Sequence, residues 1–134
     1  MTPDSTRARA GATAFTTTAS MAAPDADILA AFARRDEAYR VYIEAVADEE
    51  GGEAYWKEID RIEKFLEAAD AQTPRGAELQ LWAALTHLVN DPDQDERSYR
   101  ADLPFFVDIK EDLEWPVRLV VSAIQSLRAM RGAA

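Results

Sequence analysis

Four aspartates, Asp91, Asp93, Asp95 and Asp102, are spaced like the carboxylates at positions 1, 3, 5 and 12 of a calcium-binding EF-hand loop. Calcium needs several oxygen ligands around one point, and this spacing can supply them. The sixth position of such a loop is Gly, for a sharp turn, but here it is Glu96. The twelfth is Asp102, where a longer bidentate Glu is expected. Both departures strike the geometry of the loop. An acidic turn after a helix end is therefore the favoured reading, and no metal site is favoured. His87 is the single histidine, which removes any mechanism or metal site needing two imidazoles from one chain. A Ser-His-Asp arrangement would have to rest on His87 alone. No Glu-x-x-His pair precedes it for a carboxylate-bridged diiron centre, and a surface or boundary position is expected. Glu58, Asp60, Glu63 and Glu67 could form a general-acid pair or a metal face. Lys57, Arg61 and Lys64 interleave with them at helical ion-pair spacings, which predicts a solvated face instead. Nothing supplies a nucleophile, a base or a phosphate cradle alongside, so neither catalysis nor a cofactor is expected.

The remaining candidates are aromatic. Tyr55, Trp56, Trp82 and Trp115 are the residue types that anchor protein interfaces, and the same types fill cores. The sequence leaves open which of them are exposed. Arg35 and Asp36 interrupt an apolar stripe. One of them could be an inward polar register device, or the seam could curve and leave both wet, and the wet reading is favoured.

The 134 residues are 48% hydrophobic and 30% charged, which fits one compact domain. Fifteen Lys and Arg against twenty-five Asp and Glu give a formal charge of −10. Such a surface repels a phosphate backbone, so direct nucleic-acid binding is not expected. The chain has no Cys, which excludes disulfides, thiolate metal sites and cysteine nucleophiles and fits a reducing compartment. No run of about 18 apolar residues occurs, so no membrane-spanning helix is expected. A soluble, cytoplasmic protein is the expectation.

Residues 1–24 are rich in Ala and Thr, with Arg7 and Arg9 against Asp4, and are expected to be a flexible tail. They lack the apolar core of a signal peptide and the clear amphipathic helix of a transit peptide. Met21 offers a plausible alternative start. Residues 25–134 then hold a charge of −11 and form a single helical domain. Its first helix should follow Pro24, capped by Asp25 or Asp27, and run to about Glu49 before Gly51-Gly52 stops it. Its apolar positions are Ile28, Phe32, Tyr39, Tyr42 or Ile43, and Val46. A second helix over about Glu53 to Asp70 repeats Tyr55, Ile59, Ile62, Leu66 and Ala69 at steps of three and four. These two should lie antiparallel as a hairpin.

Thr73-Pro74 has the form of a helix start, with Thr as cap and Pro where an amide has no partner. A third helix should run from there to about Val89, turning Leu81, Leu85 and Leu88 inward with Ala77 and Ala84, with Trp82 extending that face, and end at Asn90-Asp91-Pro92. The next twenty residues lack a period, apart from a possible short helix over Glu96 to Ala101. Tyr99, Leu103, Phe105, Phe106, Val107 and Ile109 make them too apolar for a linker, so they should pack across the bundle. A last helix from about Leu113 to Met130 repeats Leu113, Val117, Val120, Ile124 and Leu127.

The segments Asp25-Ala26-Asp27-Ile28-Leu29 and the turn Ala71-x-Thr73-Pro74-x-Gly76 give residues 25–90 their character. In these the chain resembles small uncharacterised helical proteins of proteobacterial and prophage genomes. The resemblance implies an α-helical hairpin-based fold in a bacterial or phage cytoplasm, and it brings no catalytic residues.

The expected architecture is all-α, a four-helix bundle-like domain built on the long hairpin. The expected function is non-enzymatic, a helical protein-protein interaction or regulatory accessory protein with a partner of unknown identity, and a homodimer is expected. The alternatives are an acidic DNA-mimic inhibitor of a nucleic-acid-binding protein and, third, a calcium-responsive module using Asp91, Asp93, Asp95 and Asp102.

Overall fold

Helix starts in this chain are set by side chains that satisfy amides the helix itself cannot. A computed structural model describes residues 23–45 and 49–133, and its regular structure is entirely helical. The order is α1 (Ala26–Ala45), α2 (Glu49–Ala68), α3 (Pro74–Thr86), α4 (Pro92–Tyr99), α5 (Leu103–Asp108), a 3₁₀ turn (Lys110–Asp112) and α6 (Trp115–Ala133). Thr73 caps α3 by accepting from the Gly76 amide, and Asp91 caps α4 by accepting from the Asp93 and Gln94 amides. Asp102 caps α5 through the Phe105 amide. In all three a proline stands in the first two positions, where its missing N–H costs nothing.

Helices α1 and α2 pack against each other along their length. Asp25 meets Gln72 and Thr73 beyond the end of α2, Arg35 meets Glu63, and Tyr42 stacks on Tyr55. The main core gathers Ile28, Phe32, Ile62, Leu66, Leu79, Trp82, Leu85, Phe106, Val117, Val121 and Ile124 from α1, α2, α3, α5 and α6. A second, aromatic cluster of Tyr39, Tyr55, Ile59 and Tyr99 lies towards the other end of the α1–α2 pair.

Several expectations change. Gly51 and Gly52 do not end a helix but lie inside the first turn of α2. The first amides of any helix lack an intrahelical acceptor, so glycine is cheapest there. The end of the first helix past Ala45, the inward Val46 and the tail over 1–22 lie outside the described residues. The aperiodic stretch after Asn90 is largely helical, because the Asp91 and Asp102 caps each start a short helix. In α3 the buried face carries Glu78, Leu79, Trp82, Ala83 and Leu85, while Leu88 is exposed. Of the residues expected inward Leu85 and Trp82 are buried, and the face also takes in the polar Glu78.

Asp25 does not cap its own helix with its side chain. Its backbone takes a left-handed φ of 63° and sends the carboxylate to the α2–α3 connection. There it accepts from the amides of Gln72 (2.9 Å) and Thr73 (2.9 Å) and the Thr73 hydroxyl (2.6 Å). A Cβ on Gly76 would run into this carboxylate, so Thr73, Gly76 and Asp25 form one lock. Burial works against the Asp25 charge, but the Thr73 hydroxyl and the two amides outweigh it and hold the carboxyl below the usual carboxylate range.

Candidate functional site

The aromatic candidates separate into two kinds. Trp82 has no exposed surface; its indole N–H donates to Glu78 Oε2 at 2.8 Å, and its ring lies 5.7 Å from that of Phe106. It is a core residue and cannot meet a partner. Tyr55 is likewise buried, its hydroxyl 2.6 Å from that of Tyr99 and its ring stacked on Tyr42 at 4.3 Å. Its place in the Ile59, Ile62 and Leu66 period already pointed inward. Trp56 sets its edge against Tyr55 yet stays exposed, and Trp115 is 65% exposed.

Charges that looked wet are partly structural. Arg35 is fully buried, contrary to the expected curved seam. Its Nε donates to Glu63 Oε2 at 3.2 Å and its guanidinium lies 4.1 Å from the Tyr99 ring centre, while Nη1 and Nη2 are buried without a partner. A long side chain flanked by Phe32 and Tyr39 on its own helix follows the apolar seam in, because the aromatic faces accept a cation. Glu63 therefore leaves the solvated row and also meets His87 Nε2 at 2.9 Å. The rest of that row behaves as expected of solvent-facing pairs, Glu58 with Arg61 and Arg34, and Asp60 with Lys64. A shallow cavity of about 390 Å³ opens between α2 and α3, lined by Glu63, Leu66, Glu67, Gln80, Ala83, Ala84 and His87.

Nearby, burial pushes the Asp95 carboxyl up, partly offset by Arg35 and by a hydrogen bond from Tyr39. Burial and the Asp95 charge in turn raise the Tyr39 phenol to about 12. A second ionic node was not anticipated. Glu78, fully buried, gathers Arg128 (2.8 Å), Arg131 (3.4 Å) and Arg75 (3.7 Å) around its carboxylate and ties α3 to α6. Burial opposes its charge, but hydrogen bonds from Arg128 and Trp82 hold its carboxyl below the usual range.

Asp91, Asp93, Asp95 and Asp102 do not converge. Asp91 and Asp102 are spent on caps, and Asp93 and Asp95 sit on α4, where two residues turn a side chain through about 200°. Asp93 pairs with Arg97 at 3.7 Å, and Arg97 also reaches Asp102 at 2.7 Å. Among the described residues no group of three or more His, Cys, Asp or Glu could hold a metal ion.

What the surface does present is a helix face. Residues on α6 turn through about 100° each, which sets Trp115, Leu119, Ser122, Ser126 and Met130 along one side. Val117, Val121 and Ile124 occupy the other and are buried. The outward row is open: Leu119 is 57% and Met130 58% exposed. Helix α6 contains Arg118, Arg128 and Arg131 but no Asp or Glu, in a chain of net charge −10. Two of these arginines turn to Glu78. Arg118 donates to the Leu113 carbonyl. The row from Trp115 to Met130 is thus free of charge. No family model, curated protein or solved structure matches this chain. Among the described residues no helix is long and apolar enough to cross a membrane.

Proposed function

We propose that this protein is a non-enzymatic helical interaction module, an accessory or regulatory factor of bacterial or phage type acting in the cytoplasm. In this reading the four long helices α1, α2, α3 and α6 form a bundle on the α1–α2 hairpin, and α6 presents the docking face. One observation carries it: Trp115, Leu119 and Met130 expose apolar surface in a row on one helix whose opposite side is core. A large apolar side chain left in water forgoes roughly 1.5–3 kcal/mol of burial, and a row of them is the usual mark of an interface. A Trp at its end is the residue type that most often dominates binding. The acidic mimic is the weaker reading, because a mimic needs an open array of carboxylates. On α2 those of Glu58, Asp60 and Glu63 meet cations of this chain instead.

Pull-down from bacterial lysate with the full chain and with Leu119→Glu tests the docking face. A stoichiometric partner that survives high salt on the wild type and is lost from the variant supports it, provided circular dichroism shows the variant folded. Retention of that partner by Leu119→Glu, or its release from the wild type by salt alone, contradicts it.

A further inference from the structure

The cavity of about 390 Å³ between α2 and α3 has no α6 residue in its wall, and the docking reading makes no use of it. Its volume falls within the roughly 300–1,000 Å³ of small-ligand sites. Leu66 and Ala83, both buried, and Ala84 give it an apolar floor. Its polar wall residues are Glu63, Glu67, Gln80 and His87. Glu63 is already engaged, by Arg35 Nε at 3.2 Å and His87 Nε2 at 2.9 Å. Gln80 Nε2 donates to the carbonyls of Leu66 at 2.9 Å and Ala69 at 2.8 Å. Both amide hydrogens are thereby used at the end of α2, and the Gln80 side-chain oxygen is left as an acceptor. Glu67 is exposed, and among the described residues no cation pairs with it: on its own helix Lys64 meets Asp60 and Arg61 meets Glu58. The groups left open are thus a carboxylate and an amide oxygen above an apolar floor. Both accept, neither donates, and the charge they carry is negative.

We infer that this cavity binds a small linear alkylammonium ion, its ammonium on the Glu67 carboxylate and the Gln80 side-chain oxygen and its methylenes against Leu66, Ala83 and Ala84. An ammonium has three donors and no acceptor, which suits a wall that only accepts. Its hydrogen bond to a carboxylate is the stronger, charge-assisted kind. A carboxylate ligand of the same length would meet Glu67 with like charge, and an alcohol would forgo the ion pair.

Titration of the full chain with pentylammonium, followed by heteronuclear amide NMR, tests the site. Saturable shifts are expected over residues 63–67 and 80–87, with affinity falling as salt rises. Each methylene added from ethylammonium to pentylammonium should tighten binding about two- to fourfold. Glu67→Gln keeps the shape of an exposed side chain and should weaken binding roughly three- to fivefold. Glu53→Gln removes the same charge from the far end of α2 and should leave it unchanged. Ala84→Phe puts a ring into the cavity from an exposed position and should abolish binding. Nα-acetyl-lysine amide carries the same ammonium, but its carbonyls find no open donor on this wall, so it should bind less tightly than pentylammonium. Pentanol binding as tightly as pentylammonium, an equal loss in Glu53→Gln and Glu67→Gln, or shifts that never saturate would each overturn the inference. Tighter binding of the lysine derivative would assign the cavity to a protein side chain and overturn the small ligand. Leu119→Glu should leave the titration unaltered, so the cavity and the α6 docking face stand or fall separately.

Discussion

Asp25 is the residue on which the most local geometry depends. It holds a left-handed backbone, two amides and a hydroxyl, and it is the reason position 76 must be glycine. Gly76→Ala should cost about 1–3 kcal/mol in urea unfolding, since the added methyl meets a carboxylate that has no other place to go. Asp25→Asn tolerates the same φ and tests the charge alone. The native carboxyls of Asp25, Glu78 and Asp102 are held below their usual values. The stability they contribute is therefore present above the unfolded carboxylate range near pH 4, and it is lost as pH falls through the lowered native values. Urea midpoints of the wild type should drop between about pH 5 and 3, and those of Asp25→Asn should drop less. At the Arg35–Glu63 pair the two deletions are not equivalent. Glu63→Ala strands a buried guanidinium and should cost about 3–5 kcal/mol, whereas Arg35→Met, which also removes two unpartnered nitrogens, should be near neutral. A larger loss for Arg35→Met than for Glu63→Ala would contradict this account of the pair.

At the scale of elements, legibility followed the apolar period. The faces of α2 and α6 were legible where Ile59, Ile62 and Leu66, and Val117 and Ile124, repeat without a polar intruder, but on α6 Val121 is fully buried while the expected Val120 and Leu127 are half-buried. The face of α3 was found in part: Leu85 and Trp82 are buried, but Leu88 is exposed, and the buried Glu78 has its partners Arg128 and Arg131 about fifty residues away, beyond any local pattern. Arg35 was misjudged for the same reason, its compensation coming from Glu63 on another helix and the Tyr99 ring on a third. Of the candidate anchors, Tyr55 lay in an apolar period and Trp82 extended one, and both are buried, whereas nothing in the sequence marked Trp115 as exposed. The glycine pair was taken for a stop because glycine at a helix start and in a turn have the same composition. Gly52→Ala follows from the corrected position: its Cβ would stand an ordinary 3.8 Å from the Tyr42 ring, so the substitution should stabilise by about 0.4–1 kcal/mol in thermal or urea melts. A destabilised variant would mean that position 52 is not helical.

Across the whole molecule, charge and apolar surface are segregated. The acidic side chains of α2 and α4 pair with arginines and lysines on or beside their own helices. Helix α6 alone among the long helices carries no carboxylate and shows water an uncharged row. That division is the basis for taking α6 as the docking face. Capture from bacterial lysate by the wild type, Leu119→Glu and Val41→Glu tests it most directly, with Val41 as an equally exposed apolar site off the row. The account predicts that the wild type and Val41→Glu hold the same stoichiometric partner at high salt and that Leu119→Glu does not. Loss of that partner from Val41→Glu, or its retention by Leu119→Glu, would contradict it.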